Sequence, residues 1–114
     1  APFSIFLNND DRNYVEPDLS VICNPSILDE KGCHGAPDWI IEIVSPSSER
    51  MDYVVKTFKY RTAGVREYWV IDKTLQKVTV FDFENDNMFE YDFTQKIPVL
   101  IYDGELEIDL SRFI

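Results

Sequence analysis

The chain has 114 residues, of which 45% are hydrophobic and 14% aromatic, so it can form one packed domain and is not a disordered acidic tail. Its formal net charge of −10 argues against a general nucleic-acid coat, because phosphate binding depends on lysine and arginine. No apolar run approaches the roughly 20 residues of a transmembrane helix, and the N-terminus lacks a signal-peptide pattern. We therefore expect a cytoplasmic protein that does not enter a membrane.

The first third of the chain predicts two strands joined as a hairpin. Residues 3–7 form a short apolar run, and a turn-rich polar stretch leads to a second strand within residues 14–23. Residues 24–36 are polar and contain one proline and two glycines, which predicts a loop. Cys23 and Cys33 could form one disulfide, whereas a zinc site would need more Cys or His than the chain has.

The central element is residues 37–46, an apolar and β-branched run that predicts a buried strand. Strand alternation places Ile40, Glu42 and Val44 on one face. A carboxylate in such a strand costs several kcal/mol unless a cation, a metal ion or hydrogen-bond donors compensate its charge. Glu42 therefore either pairs with a nearby lysine or arginine or binds a metal ion.

Asp18 and Glu42 are a candidate pair of metal ligands. Asp18 lies near the start of the second predicted strand, and residues directly opposite on neighbouring strands are about 5 Å apart. Asp38 is four residues from Glu42 along one strand, hence about 13 Å away and too far to share an ion. Two carboxylates and a backbone carbonyl suit Mg²⁺ or Mn²⁺, hard cations that also contact substrate phosphate.

Residues 47–63 predict a helix, with a serine at its start as the cap. One set of apolar side chains has helical spacing and predicts the side that faces the sheet: Met51, Val54, Val55, Phe58 and Thr62. A different side carries Asp52, Lys56 and Tyr60 at four-residue spacing. The ordinary outcome of that spacing is a surface ion pair between Asp52 and Lys56.

A buried strand over residues 67–72 follows the helix at once, so strand, helix and strand form a crossover with the two strands parallel. Two further strands are predicted over residues 77–83 and 88–93, and short apolar runs fill the tail. We therefore expect an α/β domain with a mixed central sheet, one helix packed on it and a C-terminal antiparallel β extension.

The charges are unevenly distributed along the chain. Residues 46–66 hold five basic and two acidic side chains, whereas from residue 82 to the end nine acidic side chains accompany two basic ones. An anionic ligand should therefore bind the middle of the chain and avoid its C-terminal third.

Several of these motifs together resemble one protein family. Their order is Pro17-Asp18, then the segment 35–48, then Asp52, Lys56 and Tyr60, then the segment 64–72. From about residue 14 to residue 83 the chain closely resembles the Uma-type family of bacterial restriction endonucleases, within the PD-(D/E)XK nuclease superfamily. The resemblance implies a restriction-endonuclease-like fold.

The resemblance also implies roles for individual residues. Asp18 corresponds to the first acidic residue of the motif, and Glu42 corresponds to the second. Val44 stands where the superfamily usually has a lysine, and the lysine role falls to Lys56 on the following helix. The neighbours of Lys56 on that side of the helix would support the site.

The expected function is Mg²⁺- or Mn²⁺-dependent hydrolysis of phosphodiester bonds, with DNA as the partner. Asp18 and Glu42 would hold the metal, and Lys56 would position water or the scissile phosphate. Further cationic side chains could contact phosphates: Arg50, Lys59 and Arg61. Two other functions stay open, a catalytically inactive nuclease-like binding or assembly module and a phosphodiesterase for small nucleotides.

Members of the family carry a further N-terminal region that includes a helix. The resemblance therefore implies that residues 1–114 form a single domain without that region. An apolar face would then be left uncovered, and a homodimer would cover it.

Overall fold

A computed structural model describes residues 4–7, 14–44 and 50–114, and in the helix it describes side chains from Val54 onward. The described part contains one α-helix, ten strands and three short 3₁₀ turns. In chain order the helix and strands are β1 (Ile5–Phe6), β2 (Leu19–Val21), β3 (Leu28–Asp29), β4 (Gly32–His34), β5 (Trp39–Val44), α1 (Arg50–Ala63), β6 (Glu67–Asp72), β7 (Lys77–Asp82), β8 (Asn87–Asp92), β9 (Lys96–Pro98) and β10 (Glu107–Asp109).

Five strands form the central sheet in the order β2-β5-β6-β7-β8. Strands β5 and β6 are parallel, with Glu42 opposite Val70, and the other neighbouring pairs are antiparallel. Helix α1 connects β5 to β6, as a parallel pair requires. The mixed sheet, the helix and the antiparallel pair of β9 and β10 confirm the predicted fold class.

The alternation of β5 divides the interior into two apolar layers. Ile40 lies in the layer beside α1, together with Tyr60 and Tyr68. Trp39 and Trp69 lie in the other layer, with ring centroids 5.1 Å apart. The C-terminal segment packs on that second layer through Phe93, Ile97 and Val99. Both faces of β5 and β6 are therefore covered, which explains their nearly continuous apolar sequences.

The carboxylate of Glu67 ties the C-terminal segment to the sheet. Its side chain is only 1% exposed, and it accepts hydrogen bonds from Trp69 Nε1 at 2.7 Å and from the backbone N–H groups of Leu100 and Ile101 at 3.2 and 2.9 Å. Three donors satisfy a buried carboxylate without a cation. The sequence predicts no role for Glu67, because its two backbone donors are more than thirty residues away.

Among the described residues, the predicted hairpin between residues 3–7 and 14–23 is reduced to one antiparallel bridge, between Ile5 and Val15. Strand β2 pairs antiparallel with β5, and β1 pairs in parallel with β4. Ile5 exchanges two backbone hydrogen bonds with Val15 on one side, while the Cys33 N–H donates to the other side of the strand. Both residues of β1 are buried, so the strand needs partners on two sides, and a hairpin supplies one.

Residues 24–36 are also not a continuous loop, because they contain the antiparallel pair β3 and β4. Asp29 Oδ1 accepts hydrogen bonds from the N–H groups of Lys31 and Gly32 and so closes the turn. Gly32 has a φ of 145°, and a Cβ at this position would lie 2.2 Å from the Ser4 carbonyl oxygen. These strands are two and three residues long, too short for a periodic sequence pattern.

Helix α1 faces the sheet with a different side from the predicted one. Val54, Val55 and Phe58 are 54%, 53% and 72% exposed, whereas Tyr60 is fully buried. The Tyr60 ring packs edge-on against Tyr68, with centroids 5.0 Å apart. The predicted apolar side is wrong because a tyrosine ring and a lysine stem bury carbon while counting as polar in the sequence pattern. The predicted helix start at residue 47 and its serine cap lie outside the described residues.

Replacement of Tyr60 by Ala should lower the free energy of unfolding by about 3–5 kcal/mol, because it empties a buried aromatic site under the helix. Phe58→Ala is the matched control on the same helix. It removes an exposed ring and should change the free energy by less than about 0.5 kcal/mol. Urea titration followed by circular dichroism measures both values. An equal or larger loss in Phe58→Ala would show that this orientation of α1 is wrong.

Candidate functional site

The sheet brings Asp18 and Glu42 together. Strand β2 pairs antiparallel with β5, with Leu19 opposite Ile41. Continuing this register by one residue places Asp18 opposite Glu42, so the two side chains share one face. The Asp18 Oδ2 atom accepts a hydrogen bond of 2.8 Å from the Ile43 backbone N–H. Asp18 is exposed, whereas Glu42 is 6% exposed.

Lys56 completes this group from the helix. Its Nζ atom lies 2.9 Å from Glu42 Oε2 and donates a hydrogen bond to it. The Lys56 side chain is 33% exposed, so its ammonium group stands between the interior and solvent. The ion pair supplies the compensating cation that a carboxylate in an apolar strand needs. The structure thus brings the three predicted site residues together.

Both carboxylates keep one oxygen for a further ligand. Among the described residues none donates a hydrogen bond to Glu42 Oε1, although this atom is buried. Asp18 is held through Oδ2, which leaves Oδ1 directed away from that bond. An unsatisfied buried acceptor next to a second carboxylate fits a hard cation such as Mg²⁺ or Mn²⁺.

The described residues contain no group of three or more Cys, His, Asp and Glu side chains that could hold a metal. A divalent ion at Asp18 and Glu42 would therefore rest on two carboxylates, with backbone oxygen, water or substrate phosphate as its other ligands. Magnesium ions at sites that act on phosphates are commonly bound by only one or two carboxylates of the protein.

Burial is the main influence on the pKa of Glu42 and raises it. The hydrogen bond and the positive charge of Lys56 lower it, while the negative charge of Asp18 raises it further. The Asp18 backbone N–H, which interacts with the Glu42 carboxylate, also lowers the pKa. The net effect is a raised pKa, so Glu42 holds its proton more tightly than a carboxyl group in water.

Asp38, the acidic residue of the second Pro-Asp pair, lies away from this group and has a structural role. Its Oδ2 accepts a hydrogen bond of 2.7 Å from the Cys23 backbone N–H, and its Oδ1 lies 3.7 Å from Arg66. The sequence argument that favoured Asp18 over Asp38 therefore agrees with the geometry. Cys23 and Cys33 are both free thiols, so the disulfide that sequence analysis left open is absent.

The other residues singled out by sequence divide into three cases. Tyr60 lies buried beside Tyr68 in the layer under Lys56, where it supports the helix.

Arg61 forms an ion pair with Asp86, and Lys59 is exposed. The side chains of Arg50 and Asp52 lie outside the described residues. The hydrogen bond from the Ile43 N–H to Asp18 is not predictable from the sequence, because only the strand register reveals it.

A family model described as "Putative restriction endonuclease", Uma2, matches residues 2–110 of the chain. A crystal structure of a "putative nuclease belonging to DUF820" from Anabaena variabilis has a similar fold, with a TM-score of 0.69 and 25% sequence identity. The match covers 95% of this chain and 65% of that one. No curated protein matches the sequence. Among the described residues no helix is long and apolar enough to cross a membrane.

Replacement of Glu42 by Gln should change how stability depends on pH. Because folding raises the pKa of Glu42, the folded chain binds this proton more tightly, and its contribution to stability falls as pH rises through the folded-state pKa. Gln does not ionise, so the Glu42→Gln variant does not lose stability in this way. The free energy of unfolding of the variant, minus that of the parent, should therefore increase from about pH 5 to pH 8 in EDTA. Urea titrations at each pH measure it, and a constant or falling difference would contradict the raised pKa.

Proposed function

The chain belongs to the Uma2 family of restriction-endonuclease-like proteins, and from that premise we propose that it hydrolyses phosphodiester bonds in DNA with Mg²⁺ or Mn²⁺ as cofactor. The observation that carries the proposal is the group formed by Asp18, Glu42 and Lys56. Two carboxylates lie opposite each other on neighbouring strands, and a lysine on the covering helix lies 2.9 Å from one of them.

Asp18 and Glu42 are the proposed ligands of the cation. Each carboxylate has one oxygen fixed by the protein, through the Ile43 N–H and through Lys56, so its direction is set before any ligand arrives. Such preorganisation lowers the cost of binding. The cation, when bound, supplies Lewis-acid stabilisation of the charge that develops on the phosphate.

Lys56 is the proposed group that acts on the substrate. Its ammonium has three N–H donors, and one of them engages Glu42 Oε2. The ammonium group can orient the attacking water and neutralise charge on a phosphate oxygen, since the side chain is partly open to solvent. Water adds to phosphorus, one P–O ester bond breaks, and the products are a phosphomonoester and a hydroxyl group.

Metal binding to the parent should be measurable by calorimetry with Mn²⁺ and then Mg²⁺. Asp18→Asn and Glu42→Gln should each abolish the binding signal, because two protein ligands leave no redundancy. Asp38→Asn is the matched control: it changes the other Pro-Asp pair and should bind metal as the parent does. Loss of binding in Asp38→Asn alone, or its persistence in both site variants, would place the metal elsewhere. A parent that binds no ion at all would favour a nuclease-like fold without catalysis.

Cleavage assays should distinguish the role of Lys56 from that of the two metal ligands. Lys56→Ala should retain metal binding but reduce the rate of duplex DNA cleavage by about 10²- to 10³-fold, since it removes a donor that acts on the developing charge. The rate is measured on a supercoiled plasmid and on a short dinucleotide. Faster turnover of the dinucleotide than of the duplex would indicate a small-nucleotide phosphodiesterase, and an unchanged rate in Lys56→Ala would remove Lys56 from the mechanism.

A further inference from the structure

The turn between β6 and β7 lies beside the candidate site. The Lys73 N–H donates a hydrogen bond of 3.4 Å to the Val44 carbonyl, which fixes the first residue of the turn at the end of β5. Glu42 is two residues before Val44, about 7 Å along the strand. A lysine side chain at position 73 is therefore long enough to reach substrate bound at the site.

Lys77, the first residue after this turn, lies on the same face of the sheet as Glu42. Val78 and Val80 of strand β7 are buried in the layer with Trp69, on the face away from α1. Strand alternation then places Lys77 on the face that α1 covers, which is the face of Glu42. Both Lys73 and Lys77 are exposed.

The two lysines are not committed to ion pairs within the described residues. Three cations around the helix and the strands are paired there: Lys56 with Glu42, Arg61 with Asp86, and Arg66 with Glu84. No carboxylate of the described chain lies within 4.0 Å of the ammonium group of Lys73 or of Lys77. The charge of Lys73 is thus available to an anion, whereas that of Lys77 is shared with Asp92 on the neighbouring strand.

The backbone of the β6–β7 turn is fixed by its own hydrogen bonds. Asp72 Oδ1 accepts from the N–H groups of Thr74 and Leu75, both at 3.0 Å. Gln76 then adopts a left-handed φ of 53° before strand β7 begins. The carboxylate of Asp72 is folded onto its own turn, whereas the longer lysine side chains extend into solvent. This turn presents its lysines from a rigid support.

The β7–β8 turn lies at the opposite ends of the strands. It has a similar backbone conformation and carries acidic side chains instead of lysines. Asp82 Oδ1 accepts from the Asn85 N–H, and Asp86 adopts a left-handed φ of 56°. The turn carries Glu84 and Asp86 in place of lysines. Arg66, just before β6, lies at these strand ends, and its Nε donates a hydrogen bond of 3.0 Å to Glu84 Oε1. Arg66 and Arg61, the cations beside this turn, are paired with its two carboxylates, whereas Lys73 forms no ion pair within the described residues. An anionic polymer therefore finds an available cation at the strand ends that carry Lys73.

We propose that the β6–β7 turn is a phosphate-binding element, in which Lys73 and Lys77 hold the backbone of the nucleic acid next to the candidate site. The proposal rests on the proposed function and extends it to the direction from which the substrate enters. Lys73 has the larger share, because Lys77 stands between Asp72 and Asp92 on the neighbouring strands.

The test is binding of a short fluorescent DNA duplex with phosphorothioate linkages, which resist hydrolysis, in Mg²⁺. The double variant K73Q/K77Q should bind about tenfold more weakly than the parent, and its plot of log K against log salt should be less steep by about one to two units. Lys73→Gln should account for more of this loss than Lys77→Gln. The charge-conserving double variant K73R/K77R should retain parental affinity.

Arg66→Gln is the matched control, because it removes one positive charge beside the β7–β8 turn, at the far ends of the strands. DNA binding should be unchanged. Thermal unfolding of every variant verifies that the fold is intact. If the parent binds DNA and the double variant binds it equally well, or if Arg66→Gln weakens it as much as Lys73→Gln, the phosphate-binding turn is refuted while the proposed function stands. A parent that neither binds nor cleaves DNA would refute both.

Discussion

The structure depends on the contact between Glu42 and Lys56. A carboxylate in the middle of an apolar strand must be compensated, and the side of α1 that carries Lys56 offers a cation above it. Turning that side toward the sheet buries Tyr60 against Tyr68 and leaves Val54 and Phe58 in solvent. The ion pair and the burial of the Tyr60 ring both require this orientation of the helix.

Such a pair is a weak source of stability, because removing two charges from water costs about as much as their attraction returns. A Leu or Met at position 42 would satisfy the strand at least as well. What the pair adds is placement: Lys56 fixes one oxygen of Glu42, and the Ile43 N–H fixes one oxygen of Asp18. The two contacts thus fix the orientation of two neighbouring carboxylates, an arrangement that the proposed metal ligation requires and stability does not.

The sequence predicts local features well and long-range ones poorly. The central strand and the crossover follow from composition and from strand alternation, because each depends on neighbouring residues. The pairing of Asp18 with Glu42 is expected from the possible strand arrangement and from the family resemblance. The pairing of β1 with β4 and the backbone donors to Glu67 do not follow, since they come from segments far along the chain. The orientation of α1 fails for another reason. Hydrophobic periodicity treats Lys56 and Tyr60 as polar, although the stem of one and the ring of the other bury carbon.

Net charge is a poor guide to what this chain can bind, because a phosphate group responds to the charges within about one Debye length of it, roughly 8 to 10 Å. The value of −10 sums over the whole chain, and much of it lies in the C-terminal third and at the acidic β7–β8 turn. The β6–β7 and β7–β8 turns have similar backbones and lie at opposite ends of the strands. The first carries lysines and the second carries acidic side chains, and Glu42 lies toward the lysine-bearing end. The acidic C-terminal third should therefore disfavour a polyanion and favour its approach from the lysine-bearing end.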